Sequence, residues 1–197
     1  EAVTGKTLDA YLVSEFYRPM GLEHTLFQPL NRYKKADIMP TAANDYLRRQ
    51  DLCGYVHDEA AAFMGGVSGN AGLFSTAQEL GKIYQMILNE GELDGKRYLR
   101  PETCRIFTTE KSAVSHRGLG YDKPNLKDPK ANACASWPPA SVYGHTGFTG
   151  TCAWVDPTNG LVYVFLCNRI YPNVWNTKLM KMDIRTRIQE VMYQAVK

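Results

Sequence analysis

Residues 142–146, 151–156 and 161–168 concentrate β-branched, aromatic and apolar side chains, and Asp156-Pro157-Thr158-Asn159-Gly160 places dense turn chemistry between the last two. This pattern constrains the chain more than any other feature, because it predicts an antiparallel hairpin with a third strand beside it. With the turn centred on 157–160, Trp154 falls opposite Tyr163 and Cys152 opposite Phe165, so the two strand cysteines are not direct partners. Residues 161–167 are nearly all apolar, which predicts a strand covered on both faces.

Helical patterns occupy both ends. Thr7 is a candidate cap with Asp9 in the first turn, and Leu8, Tyr11, Leu12 and Phe16 share one face until Pro19. Residues 20–72 show no sustained periodicity and hold Pro29, Pro40, Gly54, Gly65, Gly66, Gly69 and Gly72, which predicts long irregular connections of the kind that build a binding wall or a lid. Ser75 and Gln78 form a capping box ahead of Leu80, Ile83, Tyr84, Ile87 and Leu88, with Gly91 as the stop. Pro101 opens a short helix through Phe107, and 118–139 returns to loop. Leu179, Ile184, Ile188, Val191 and Ala195 supply the apolar side of a final helix. The sum is an α+β chain, one domain over 1–197: an antiparallel sheet of C-terminal strands, flanked by N- and C-terminal helices, with helical and irregular material between.

Composition narrows the function classes. A chain of 197 residues with 44% hydrophobic and 22% charged content can bury a substantial core. Its longest apolar stretch, 161–167, is far short of the roughly 20 residues of a membrane span, and no charged-then-apolar leader opens it, so a soluble protein is expected. A net charge of +3 is too small to imply a nucleic acid partner, and the pairs Lys34-Lys35 and Arg48-Arg49 read as solvated surface. Cys53, Cys104, Cys134, Cys152 and Cys167 are odd in number without a C-x-x-C pair, which argues against a disulfide framework and a zinc knuckle. They read as small buried hydrophobes and leave the compartment open.

Tyr143-Gly144-His145-Thr146-Gly147-Phe148-Thr149-Gly150 is the segment richest in possible chemistry. Its glycines cost strand stability. A functional reading accounts for that cost: Gly147 leaves room for a substrate lying along the strand, His145 and Thr146 donate hydrogen bonds to it, and the Phe148 N–H points at an oxyanion. A bulged strand with a buried histidine is the plainer alternative, and on these residues alone the two stand level.

The wider pattern resembles the serine β-lactamase-related family. The resemblance rests on Thr4-Gly5-Lys6-Thr7-Leu8, then Pro19-Met20-Gly21-Leu22 with Thr25 and Phe27, then Gly65-Gly66-Val67-Ser68-Gly69-Asn70-Ala71-Gly72-Leu73-Phe74-Ser75-Thr76, and finally His145-Thr146-Gly147. It is nearest to the class C-like branch of esterases, D-aminopeptidases and penicillin-binding proteins, including domains joined to family 3 glycoside hydrolases. The resemblance implies a partial β-lactamase/transpeptidase-like fold and a parent serine hydrolase of the cell envelope or periplasm. That parent would work through an acyl-enzyme on a peptide, ester or amide, with a small-molecule or peptidoglycan-like substrate and no cofactor. It implies that His145 and Thr146 contact a substrate carboxylate or carbonyl and that Gly147 and the Phe148 N–H border the oxyanion hole. His145 stands where β-lactamases have lysine, which favours an esterase or peptidase.

The nucleophile motif S-x-x-K, in which helical spacing sets the amine beside the hydroxyl, is absent. Ser14, Ser68, Ser75, Ser112, Ser115, Ser136 and Ser141 are followed three places on by Tyr17, Ala71, Gln78, Ser115, Gly118, Pro139 and Gly144. Tyr171-Pro172-Asn173 matches Y-x-N but follows the histidine motif instead of preceding it, and reads as a loop. The expectation is a C-terminal part of the domain, inactive alone, with an exposed sheet edge that pairs two copies. The rival is a non-catalytic interaction or cell-wall-binding module on the same scaffold. His57-Asp58-Glu59 has the wrong spacing for a metal-binding H-E-x-x-H and reads as a structural loop, and His24 and His116 show no partner pattern, so no metal site is expected. Trp137, Trp154 and Trp175 are assigned to core and hairpin packing in preference to a carbohydrate platform.

Overall fold

The structure, a computed structural model, describes residues 1–109, 112–128 and 132–196. The chain divides into two compact units, Glu1–Leu80 with Asn168–Asn176, and Gly81–Cys167 with Thr177–Lys197.

In the first unit, helix α1 (Leu8–Leu12) runs directly into a π-helical turn over Val13–Tyr17, which buries Tyr17. Thr7 sits at the cap position without a side-chain bond; the Glu1 carboxylate accepts from the Leu8 N–H at 3.1 Å instead. Residues 20–72 are more regular than their lack of periodicity predicts. They contain β1 (Leu26–Phe27), β2 (Pro40–Asp45), β3 (Gln50–Cys53) and α2 (Glu59–Phe63), and β4 (Leu73–Phe74) pairs antiparallel with β1.

Strands β2 and β3 form an antiparallel hairpin with two register shifts. These shifts break the alternation that would reveal a strand pair in sequence. Ala42 and Leu52 from the hairpin pack with Ile170, and Asn168 Nδ2 donates to the carbonyls of Pro40 and Thr41 at 2.5 and 2.8 Å. Arg48 is not the solvated residue expected: its guanidinium lies 3.1 Å from the Asp45 carboxylate, with side-chain exposures of 17% and 2%. Asp58 accepts from the Ala61 N–H at 2.8 Å and caps α2. That bond, followed by one from Asn70, holds its carboxyl below the ordinary value and gives the His57-Asp58-Glu59 segment a structural role.

Helix α3 (Ala77–Leu88) begins one residue later than expected, because Thr76 and not Ser75 supplies the cap, accepting from Glu79 N at 3.3 Å. The Ser75 hydroxyl instead meets Thr25 Oγ1 at 2.7 Å. The Glu79 carboxylate accepts from Glu23 N, His24 N and Thr25 Oγ1 at 2.9, 3.0 and 2.6 Å.

The second unit holds the short hairpin β5 (Glu92–Leu93) and β6 (Lys96–Arg97), helix α4 (Pro101–Thr109), and a three-stranded antiparallel sheet. The sheet consists of β7 (Tyr143–Thr146), β8 (Cys152–Asp156) and β9 (Leu161–Phe165), in that spatial order. Trp154 pairs with Tyr163 and Cys152 with Phe165, the register that the turn chemistry predicts. The Asp156 carboxylate fixes the turn by accepting from Thr158 N at 2.8 Å and Asn159 Nδ2 at 2.7 Å.

Burial corrects the expectation for β9. It is an outer strand on which Tyr163 alone is buried, whereas every residue of the central strand β8 is buried. Cys134, Val142, Cys152, Trp154 and Tyr163 form the core, with Phe165 and Ile188 against it. The C-terminal helix is interrupted: α5 (Lys178–Lys181) and α6 (Ile184–Ala195) are separated by Asp183 in the left-handed region at φ 48°. Gln189 faces inward beside Ile188, while Val191 and Ala195 are exposed, contrary to the assignment of both to the apolar side. Four cysteines are buried and Cys167 is half-buried; none of the five is in a disulfide. Among the tryptophans only Trp154 follows the packing expectation, since Trp137 and Trp175 are each 83% exposed.

Candidate functional site

Strand β7 carries the histidine motif, and two of its glycines have causes in packing. Gly144 lies across from Trp154, and a methyl group there would run into the Ala153 carbonyl oxygen and the indole. A methyl group on Gly147 would collide with Thr151 Oγ1. Gly147 N donates to Thr151 O at 2.8 Å and Gly150 N to Gly147 O at 3.0 Å, which closes a tight turn carrying Phe148 at 61% exposure. The Gly147 N–H is therefore committed to the turn. Its missing side chain serves the β7–β8 connection whether or not a substrate passes.

His145 and Thr146 are half-buried at the end of β7. The imidazole is held at both nitrogens: Nδ1 lies 2.6 Å from the Thr146 carbonyl oxygen and Nε2 lies 2.7 Å from Arg117 Nη1. A carbonyl can only accept and a guanidinium can only donate, so this pair of contacts assigns the proton to Nδ1 and the lone pair to Nε2. Among the described residues nothing bonds the Thr146 hydroxyl.

Arg117 was hidden in sequence. It reaches His145 because residues 117–122 fold back as a small hairpin against β7, bridging Arg117 to Asp122 and Asp122 to Gly144. Asp122 N donates to Gly144 O at 2.7 Å and Gly144 N to Asp122 O at 3.2 Å. The Asp122 side chain is nearly buried, and its Oδ1 lies 2.9 Å from Arg117 Nη1 and 3.7 Å from His116 Nε2. That Oδ1 accepts no hydrogen bond of regular geometry, so the short approach to Arg117 is an ion pair and the directed bond of Nη1 goes to His145. Among the described residues the bridging stops at Gly144, and the β7 edge at His145 and Thr146 carries no added strand.

The structure thus joins His145, Thr146, Gly147 and Phe148 to two residues without a sequence signal, Arg117 and Asp122, and draws in His116. His24 packs its ring against Tyr33 at 5.4 Å and takes no part. A cavity of about 690 Å³ lies in the first unit, lined by residues 35–40, 51–53 and Tyr171, and it includes none of residues 143–148. Among the described residues no three His, Cys, Asp or Glu side chains are grouped to hold a metal ion, and no helix is long and apolar enough to cross a membrane. Chemically, with the His145 nitrogens and the Gly147 N–H engaged, the cluster offers the Thr146 hydroxyl and a partly exposed guanidinium at a sheet edge, suited to an oxyanion or a carboxylate.

The β-lactamase family profile matches residues 1–179. The chain belongs to that family, the serine β-lactamase-related family that includes β-lactamases and penicillin-binding proteins. It is 33% identical, over its whole length and 50% of the relative, to a protein of Escherichia coli K12 provisionally named D-alanyl-D-alanine carboxypeptidase. Among solved structures it is similar to a β-lactamase from Mycobacterium bovis, with TM-score 0.62, 18% identity, and coverage of 98% of this chain and 58% of that one. It is similar also to simvastatin synthase from Aspergillus terreus, with TM-score 0.61, 17% identity, and coverage of 98% and 50%. The α+β architecture is a partial β-lactamase-like fold, and the chain spans about half the length of the curated relatives it matches.

Proposed function

We propose that this chain forms the substrate-recognising wall of an acyl-transfer site acting on a peptide, ester or amide. The Thr146 hydroxyl contacts a substrate carboxylate or carbonyl; His145, expected to donate beside it, has both ring nitrogens engaged and instead holds Arg117, which adds a cation for a carboxylate, and the Phe148 N–H contributes to an oxyanion hole. The nucleophilic serine and its lysine are not among these 197 residues and are supplied by another segment. The observation that carries this reading is the His145 ring, fixed by two hydrogen bonds at a β7 edge beside a guanidinium whose side chain is 55% exposed. Two facts add support: none of the seven serines of this sequence begins S-x-x-K, and a relative matched over half its length bears a name that denotes cleavage of a peptide ending in a carboxylate. A peptide carboxylate thus becomes the favoured recognition element.

On this reading the chain alone supplies donors but cannot form a covalent intermediate. Incubated with a chromogenic ester, a cephalosporin and a fluorophosphonate, it is expected to show neither turnover nor serine labelling. A polypeptide that also contains an upstream S-x-x-K segment should turn over the ester, and His145→Ala should lower its kcat/KM by about 10- to 100-fold. Labelling of any serine within these 197 residues would overturn the proposal. A longer coding sequence without S-x-x-K would instead make the chain a non-catalytic binding module.

A further inference from the structure

Arg117 has two different edges. Its Nη1 is occupied, bonded to His145 Nε2 at 2.7 Å and paired with Asp122 Oδ1 at 2.9 Å. Among the described residues no partner is recorded for Nε or Nη2, and the side chain is 55% exposed. Nε and Nη2 together form the side-on fork that takes a carboxylate through two parallel bonds. An exposed arginine normally samples many rotamers, and holding one in place costs side-chain entropy. Something must therefore hold it if the fork is to be preformed.

Asp122 meets that requirement. Its backbone is tied to β7 at Gly144 by two hydrogen bonds of 2.7 and 3.2 Å, on the strand whose next residue is His145. Its carboxylate is nearly buried, and its close contacts are the Arg117 guanidinium at 2.9 Å and the His116 imidazole at 3.7 Å, in place of hydrogen bonds to Oδ1. A buried carboxylate without a directed bond is costly, and its charge is offset here by the guanidinium beside it.

We propose that Asp122 is a positioning residue for anion recognition: fixed to β7 by its own backbone, it holds Arg117 through Nη1 beside His145 and leaves the Nε/Nη2 fork preformed for a ligand carboxylate. The proposal rests on the reading of this edge as a recognition wall and adds to it the group that makes the cation directional.

The test uses the chain as it stands, with N-acetyl-D-alanyl-D-alanine and its C-terminal amide as probes, titrated against the backbone and Arg Nε–H signals in ¹⁵N NMR spectra. The native chain should bind the carboxylate more tightly than the amide, and the Arg117 Nε–H should give a distinct, slowly exchanging signal. Asp122→Asn should weaken carboxylate binding by about tenfold, the loss of one charge-assisted contact, leave amide binding unchanged, and erase the Arg117 signal. Asp122→Glu, which keeps the charge, should recover part of both.

The sign of the change decides the matter. If Asp122 were only a counter-ion, its neutralisation would free the guanidinium, and carboxylate affinity would hold or rise. That result overturns the positioning role while leaving the recognition wall intact. A native chain that does not distinguish carboxylate from amide overturns both. Should Asp122→Asn not fold, Asp122→Glu and the native Arg117 signal still decide, because a freely averaging guanidinium in the native chain contradicts the proposal.

Discussion

Replacing Gly144 by alanine tests the packing account of β7 without touching any side chain of the candidate site. The new methyl would meet the Ala153 carbonyl oxygen, which belongs to the neighbouring strand's backbone, and the Cε3 and Cδ2 atoms of Trp154 at 2.5 and 2.7 Å. Neither can move cheaply, because Trp154 is 2% exposed in the core and Ala153 is paired in register with His145. Overpacking of this kind costs about 1–3 kcal/mol, and displacing β7 also strains the two bonds that tie Gly144 to Asp122, each contributing about 1 kcal/mol. Reduced freedom of the unfolded chain returns at most about 1 kcal/mol. The net expectation is a loss of about 3 kcal/mol. Urea unfolding followed by tryptophan fluorescence measures it, because Trp154 is the buried indole and Trp137 and Trp175 are already 83% exposed. A variant with the native midpoint and slope, or a higher midpoint, would refute the claim that the indole dictates the glycine.

Gly147→Ala should destabilise the chain by about 1–3 kcal/mol, and Thr151→Ala in the same molecule should restore part of that loss, because the obstructing atom is Thr151 Oγ1; additive effects in a double-mutant cycle would contradict this. Burial pushes the Glu79 carboxyl up, but bonds from Thr25 Oγ1 and the N–H groups of His24 and Glu23 outweigh it and hold the group below its ordinary 4.5. The stability it contributes is therefore present above about pH 4.5 and lost as pH falls through the lower folded value; Glu79→Gln should remove that acid-side loss from a pH series of unfolding midpoints and cost about 1–3 kcal/mol at neutral pH. Burial pushes the Cys134 and Cys152 thiols up to about 12 and about 11, so iodoacetamide at pH 8 should label half-buried Cys167 first and reach those two only on unfolding, as peptide mass mapping would show.

The C-terminal sheet was legible because its signals are local. Asp156 to Gly160 sets the turn, and period-two side chains then fix every pairing from Cys152↔Phe165 to Asp156↔Leu161. Apolar content in β9 misled on burial, since an outer strand and a covered one share the same composition, whereas β8 mixes Cys, Ala, Trp, Val and Asp yet lies at the centre. The β2–β3 hairpin escaped notice because its register shifts break the alternation and its end is closed by Asn44 and Arg49 at positive φ, without an Asn-Gly pair. Of the candidate site, the contiguous run from His145 to Phe148 was visible. Arg117 and Asp122 were not, because the contact with His145 arises from a bridge between Asp122 and Gly144, and nothing in a loop rich in Gly, Pro and Asn announces a partner so distant in sequence.

The central strand has a consequence for mutational surveys. Ala153 stands directly across from His145 and Cys152 across from Thr146, and neither offers a group that could greet a ligand. Enlarging either would overpack the strand and push the imidazole or the hydroxyl out of place, so on the proposed reading recognition would fall together with stability. A screen scored by activity alone would then credit these silent neighbours with chemistry they do not perform.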